Sequence, residues 1–127
     1  MTVSGRVNRA REPIVEVSLV GLDSPLQAVV DTGFTGALLI SQEVAEQAKL
    51  HLRATEYFTL ADGSVAAAFI AQAQVNWLQE IRIIDILVAE ASDALLGAEL
   101  LEGCRLVVDF ANDTVSITQL TKSKEAG

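Results

Sequence analysis

Apolar and polar residues alternate along most of the chain, and a period of two residues predicts β-strands. In I-V-E-V-S-L-V (14–20), three apolar side chains share one face and two polar side chains take the other. A turn at 21–25 and a returning strand at 26–30 follow. The longest alternation, 65–77, predicts one long strand whose odd-numbered residues form a single apolar face. Together with 56–60 it predicts a hairpin with Asp62-Gly63 at its tip.

The remaining patterns are shorter and predict a mainly β chain with one or two short helices. A buried strand is predicted at 37–40, and a helix at 41–49 with Ser41 as its N-cap. The alternation in 81–88 slips near Ile83 and Ile84, which predicts a β-bulge. The last third predicts a strand that ends at Gly97, a helix over 98–102 that Gly103 ends, and a hairpin of 106–110 with 115–118.

No internal repeat or linker interrupts these elements, so we expect a single domain over 1–127 with frayed ends at 1–10 and 119–127. The formal charge of −8 argues against nucleic acid and anionic membrane surfaces as partners. A single cysteine allows no internal disulfide and predicts a reducing, cytoplasmic location. One cysteine and one histidine cannot supply a usual zinc ligand set, and no metal is expected.

The stretch A-V-V-D-T-G-F-T-G (28–36) carries the candidate chemistry. Asp31 follows an apolar strand and precedes a second buried strand by a few residues, a poor position for an ordinary turn residue. A carboxylate near a core must be hydrogen-bonded, paired or protonated. Thr32 and the N–H groups of Gly33 and its neighbours are the obvious donors. A turn with a chance D-T-G triplet is the alternative interpretation of these residues alone.

The stretch V-V-D-T-G-F-T-G-A-L-L-I-S resembles the active-site loop of single-domain, retroviral-protease-like (retropepsin-like) aspartic proteases of the bacterial type. In that family the tip of a β-hairpin flap falls where this chain has A-D-G-S (61–64). Leu95-Leu96-Gly97, with the helix after it, resembles the family's hydrophobic-hydrophobic-Gly signature near the C-terminus. The resemblance therefore extends over most of the chain.

The resemblance implies an all-β, acid-protease closed barrel and an aspartic endopeptidase without a cofactor. Such an enzyme needs two carboxylates that share one proton, and this chain supplies one D-T-G. The resemblance thus implies a homodimer in which two copies of Asp31 meet, with a peptide or protein as substrate. Thr32 would hold the loops rigid across the interface, and Gly33 would lie beside the substrate backbone. Phe34, Asp62, Gly63 and Ser64 would face the substrate.

Two positions depart from the family pattern. Phe34 stands where a small residue is common, and its side chain is expected either to narrow a side-chain pocket or to turn into the subunit core. Ala98-Glu99 replaces the charged Arg and the polar residue that tie viral dimers together. These departures leave a rival function open, a catalytically inactive peptide-binding or dimerisation module in which Asp31 is structural. The remaining alternative is a plain β domain.

Overall fold

The computed structural model of the chain describes residues 1–59 and 61–120, which form ten β-strands and two short helices. In chain order these are β1 (Thr2–Val7), β2 (Pro13–Leu19), β3 (Leu26–Val30), β4 (Leu38–Ile40), α1 (Gln42–Gln47), β5 (Leu52–Thr59), β6 (Val65–Trp77), β7 (Glu80–Val88), β8 (Ala94–Leu96), α2 (Ala98–Leu101), β9 (Cys104–Asp109) and β10 (Thr114–Gln119). The strands and helices predicted from the alternation are present, most of them within one or two residues of their predicted bounds.

Six of the strands close into a ring in the order β6-β7-β4-β8-β3-β2, and β2 pairs with β6 to complete it. The β3–β8 and β4–β7 pairs are parallel, while the other pairs are antiparallel. On one side of the ring the sheet continues from β2 through β1 and β10 to β9, and on the other it continues from β6 to β5. The expectation of an all-β closed barrel with one or two short helices is confirmed.

Among the described residues, the buried core consists of aliphatic side chains and one aromatic, supplied by the ring strands and also by β1, β10 and both helices. Trp77 is 2% exposed, and its indole N–H donates to the Leu100 carbonyl at 2.9 Å. A buried indole with its donor satisfied contributes a large apolar area without an unpaired polar group. This contact joins the end of β6 to α2, the helix that follows Leu95-Leu96-Gly97.

Two expectations about the long strands are wrong. From Ala71 to Trp77 the odd-numbered residues of β6 are buried, but in the first half Val65 and Ala67 are exposed and Ala68 is buried. The inward face therefore changes along β6, where the β5–β6 register shifts at Leu52/Ala54. The expected bulge in β7 is absent from the continuous β6–β7 register.

The break in the alternation of β7 has a different cause. Ile81 and Ile83 are 70% and 64% exposed, whereas Ile84 is buried. The strand is thus regular and carries apolar side chains on its outer face.

The expectation of a frayed N-terminus is also wrong, because β1 pairs with β10 over five residue pairs and with β2 over two. Gln119 closes β10, and its N–H donates to the Met1 carbonyl at 2.9 Å. The rest of the predicted frayed C-terminus, 121–127, lies outside the described residues.

Ser41 caps α1 as predicted, since its hydroxyl accepts the Val44 N–H at 3.2 Å. Neither helix in the described ranges is long and apolar enough to cross a membrane.

Candidate active site

Asp31 stands where β3 leaves the ring. The strand ends at Val30, which pairs with Leu96 in the parallel β3–β8 ladder. The Asp31 N–H then donates to the Leu96 carbonyl at 2.9 Å, so the ladder continues through the aspartate backbone. The position of this carboxylate is therefore fixed by the sheet and not by a free turn.

Short local bonds shape the residues after Asp31. The Gly33 N–H donates to Asp31 Oδ1 at 3.0 Å, and the Phe34 N–H donates to the Asp31 carbonyl at 3.1 Å. Asp31 is half-buried, while Thr32 and Gly33 are exposed. The donor expected from Gly33 is confirmed, and the second carboxylate oxygen keeps its capacity for a further partner.

The active-site loop, residues 31–37, is held from the other side by the chain around α2. The Gly97 N–H donates to the Ala37 carbonyl at 2.9 Å. The Ala98 N–H donates to the Phe34 carbonyl at 2.8 Å, and the Glu99 N–H to the Gly36 carbonyl at 3.2 Å. Backbone bonds of this kind do not depend on the side chains at 98 and 99, so the departure at Ala98-Glu99 leaves the loop anchored.

Phe34 lies across two glycines. A Cβ at Gly36 would stand 2.7 Å from Cζ of the Phe34 ring, and a Cβ at Gly97 would stand 2.6 Å from its Cδ2. The ring is half-buried and also lines an open cleft beside the loop. Both placements considered for Phe34 are thus partly realised: it packs on its own subunit and narrows a pocket.

The cleft has a volume of about 530 Å³ and runs between the active-site loop and the β5–β6 hairpin. Its walls are mostly small or aliphatic, and its one charged group is a glutamate on β5. The lining residues are Gly33, Phe34, Thr35, Gly36, Leu39, Glu56, Ala66, Ala67, Ala68, Leu87 and Ala89. An apolar concavity next to a fixed carboxylate is a suitable binding place for apolar groups of a ligand.

The tip of the β5–β6 hairpin is a compact Asx-type turn. Asp62 Oδ1 accepts the Ser64 N–H at 2.9 Å and the Ser64 hydroxyl at 2.6 Å. Hydrogen bonds from the Ser64 side chain, and then from its backbone, hold the pKa of Asp62 below its ordinary value of 3.8. Gly63 has φ +85° and open space around it. The hairpin with Asp62-Gly63 at its tip is confirmed.

The sequence-predicted site residues divide into two groups. Gly33 and Phe34 line the cleft. Asp31 and Thr32, which precede them in the loop, do not, and neither do Asp62, Gly63 and Ser64 at the exposed hairpin tip. The hairpin contributes Glu56 and 66–68 instead.

Sequence reasoning missed Leu39, Leu87 and Glu56 as cleft residues. Leu39 and Leu87 are register partners in the β4–β7 ladder, and both are half-buried between fully buried neighbours. A-L-L-I is apolar on both faces, and that pattern cannot distinguish a core face from a cleft face. No sequence signal identifies Glu56 as a lining residue.

Two other observations bear on the site. In the part of the chain that the structure describes, no group of three His, Cys, Asp or Glu side chains is arranged to hold a metal ion. A second, more polar concavity of about 450 Å³ lies between the 21–27 segment and α1, and contains none of the predicted site residues.

Comparison with known proteins agrees with this geometry. A family model described as aspartyl protease matches residues 15–100, which is more than half of the chain and includes the active-site loop. The chain therefore belongs to the aspartyl protease family. A search of curated proteins found no match.

Solved structures match the fold at low sequence identity. A retropepsin-like aspartic protease from Rickettsia conorii is 19% identical, with a TM-score of 0.70 over 94% of this chain and 91% of that one. EIAV protease, in complex with an inhibitor, is 18% identical, with a TM-score of 0.57 over 75% and 89%. The retroviral protease-like domain of Ddi1 from Leishmania major is 14% identical, with a TM-score of 0.52 over 89% and 97%. The fold is retropepsin-like.

Proposed function

We propose that the chain is an aspartic endopeptidase that acts as a homodimer, with one protease domain over 1–127 and Asp31 as its catalytic residue. The observation that supports this most is the fixed position of Asp31. Its N–H extends the β3–β8 ladder, its Oδ1 accepts the Gly33 N–H, and Gly33 lines the cleft. A carboxylate held by backbone bonds, two residues before a glycine that lines an apolar cleft, is preorganised for chemistry on a bound ligand.

The chemistry needs a second carboxylate, and the partner's copy of the same loop supplies it. Two carboxylates close together do not both ionise, so the pair shares one proton. The ionised member takes a proton from a water molecule as that water attacks the peptide carbonyl carbon. The protonated member donates its proton to the carbonyl oxygen. Collapse of the resulting gem-diol breaks the C–N bond, and a proton passes to the departing amine.

The substrate in this proposal is an extended peptide between the active-site loop and the β5–β6 hairpin, which acts as a flap. Gly33 has no side chain to keep the peptide backbone from the Asp31 carboxylate. An apolar substrate side chain enters the cleft, where Phe34, Leu39 and Leu87 surround it. Asp62, Gly63 and Ser64 act through the flap backbone, and Thr32 acts on the partner's loop. No cofactor is required, and a cytoplasmic location stays a prediction.

The test is Asp31→Asn, which keeps the shape and the Gly33 hydrogen bond but removes the ionisable group. We expect peptidase activity on an acid-range peptide library to fall by roughly a thousandfold or more, because the dyad acts as a unit. The matched control is Asp85→Asn, an exposed aspartate on β7 outside the cleft, which should leave activity unchanged.

Activity that survives Asp31→Asn would refute the catalytic role. A dimeric wild-type chain that binds peptides in the cleft but never cleaves them would instead support the rival function, an inactive peptide-binding module.

A further inference from the structure

Glu56 is the charged residue in the lining of the cleft, whose other walls are glycine, alanine, threonine and larger apolar residues. It lies on β5 directly opposite Ala68 of β6. Opposite residues of an antiparallel pair point to the same face of the sheet, and Ala68 also lines the cleft. The Glu56 side chain therefore stands on the cleft face of the hairpin, and its exposed position keeps the carboxylate accessible to a ligand.

The Glu56 carboxylate accepts no hydrogen bond from within residues 1–59 and 61–120, where every side-chain hydrogen bond involves other residues. The one basic residue of β5, Arg53, does not line the cleft. A charged group that lines a ligand cleft without such an internal partner remains able to pair with a charge on the ligand.

The walls beside Glu56 suit the stem of a long side chain. Ala66, Ala67 and Ala68 form the part of β6 that lines the cleft. Their methyl groups offer an apolar surface with little steric bulk. Lysine and arginine bury their methylene stems along such surfaces and keep the charged head at a polar rim. An apolar wall that carries one carboxylate therefore matches both parts of a long cationic side chain.

We propose that Glu56 is a specificity-determining residue, which selects substrate peptides that place a lysine or arginine side chain in the cleft. The methylene stem contacts the alanines of β6, and the cationic head pairs with the Glu56 carboxylate. This inference rests on the proposed function, since it names the class of peptide that the Asp31 site would accept. Apolar side chains of the same length still enter the cleft but make no ion pair.

The size of the preference follows from the exposure of Glu56. Ion pairs between exposed side chains contribute little, since water screens both charges. A bound peptide displaces part of this water, and the ion pair then changes affinity by more. We expect a preference of roughly three- to tenfold for lysine over an uncharged side chain of equal length. A preference that arose from the net charge of −8 instead would fall equally when any other glutamate is neutralised.

Two peptide libraries test this selectivity. Both are N-acetylated and are identical except for one residue, which is lysine in the first library and norleucine in the second. Norleucine keeps the carbon stem of lysine and lacks the ammonium group. Initial cleavage rates at low peptide concentration give the ratio of kcat/KM for the two libraries. The assay uses the least acidic pH that still supports cleavage, because exposed carboxylates are ionised there.

The lysine-to-norleucine ratio should be roughly three to ten in the wild type and close to one in Glu56→Gln, which keeps the side-chain shape and removes its charge. Glu56→Lys should bring the ratio below one, because two ammonium groups repel each other. High salt should reduce the wild-type ratio. Each ratio compares two substrates on one variant, so a loss of folded protein cancels.

The matched control is Glu80→Gln, which makes the same charge change at an exposed glutamate of β7 that does not line the cleft. It should keep the wild-type ratio. An equal fall of the ratio in Glu80→Gln and Glu56→Gln would attribute the preference to net charge and overturn the role of Glu56.

The other outcomes separate this role from the proposed function. A wild-type ratio near one, or a ratio that Glu56→Gln leaves unchanged, overturns the role of Glu56, while cleavage that depends on Asp31 would leave the proposed function intact. If neither library is cleaved, the endopeptidase is contradicted, and fluorescence anisotropy of labelled lysine and norleucine peptides measures binding instead. Tighter binding of the lysine peptide that Glu56→Gln abolishes would support the role of Glu56. Equal binding of both peptides, or no binding, would overturn it.

Discussion

The active-site loop and the β5–β6 hairpin, the proposed flap, face each other across one cleft but are held in opposite ways. Residues 31–37 follow a strand of the ring and bond to Leu96 and to 97–99 through the backbone. The flap strand β5 lies at the sheet edge, and every side chain described on it is exposed. At its tip, the side-chain hydrogen bonds among the described residues run from Ser64 to Asp62.

The two regions differ in how firmly tertiary contacts hold them. The loop carries Asp31 and bonds to distant segments on both sides. The outer half of the hairpin, β5 with 65–67, pairs only within the β5–β6 ladder among the described residues, and no side chain described there is buried. Segments with few buried contacts open at the lowest free energy. The fold thus combines a firmly held loop with a hairpin end that we expect to open more easily.

Matched glycine substitutions give the largest contrast. A Cβ at Gly97 would stand 2.2 Å from the Gly36 carbonyl oxygen and 2.6 Å from the Phe34 carbonyl oxygen, neither of which can move without breaking the loop anchor. We expect Gly97→Ala to lower the free energy of unfolding by about 3 kcal/mol. The Cβ of Gly63→Ala meets no atom within 4 Å, so we expect only the strain of its positive φ to lower the free energy of unfolding, by about 1 kcal/mol. Urea denaturation of both variants measures the difference.

If both glycine substitutions lowered the free energy of unfolding equally, the loop would be no more tightly packed than the flap tip. Hydrogen exchange adds a local control: Gly97→Ala should expose the amides of Asp31 and Ala98, and Gly63→Ala only those at the tip.

Aromatic truncations should give an intermediate contrast. We expect Phe34→Ala to cost about 2 kcal/mol, because the half-buried ring covers two glycines. Tyr57→Ala should cost less than about 0.5 kcal/mol, because Tyr57 is 73% exposed on the flap. Thermal unfolding checks both values. Phe34→Ala should also widen the cleft and shift cleavage in a peptide library toward larger apolar side chains.

A double-mutant cycle sharpens that prediction. Gly36→Ala brings its Cβ to 2.7 Å from the Phe34 ring, so its cost should fall markedly when Phe34 is already alanine. Additive costs would mean that the backbone, and not the ring, requires glycine at 36.

The smallest effect is expected at the flap tip, and it depends on pH. The folded-state pKa of Asp62 is lowered, chiefly by its bond from the Ser64 side chain, so its stabilising effect is present above 3.8 and is lost as pH falls through the lowered value. At neutral pH, Asp62→Asn should speed exchange of the Ser64 amide and leave the global Tm nearly unchanged. Below the folded pKa the variant and the wild type should converge. An NMR titration midpoint of Asp62 at or above 3.8 would contradict this account.

The alternation located nearly every strand, because each pattern reflects a strand whose two faces meet different surroundings. It failed where that condition fails. The outer face of β7 carries the exposed Ile81 and Ile83, and these apolar residues break the alternation in a way that resembles a bulge. The N-terminus looks polar but forms β1. The pattern did not predict this strand because its pairing with β10 depends on a segment more than a hundred residues away. The candidate site divides in the same way: D-T-G identified Asp31, but the cleft walls at Leu39 and Leu87 could not be separated from the core.

What the sequence determined by itself is local: the strand that ends at Asp31, the donor at Gly33, the cap at Ser41 and the turn at Asp62-Gly63 all follow from neighbouring residues. The tertiary structure decided what those features contact. Gly36 and Gly97, sixty-one residues apart, meet under the same Phe34 ring, and the loop is anchored by carbonyls that any sequence would supply. Backbone hydrogen bonds and close packing between distant segments leave no periodicity in the chain, so only the folded arrangement fixes them.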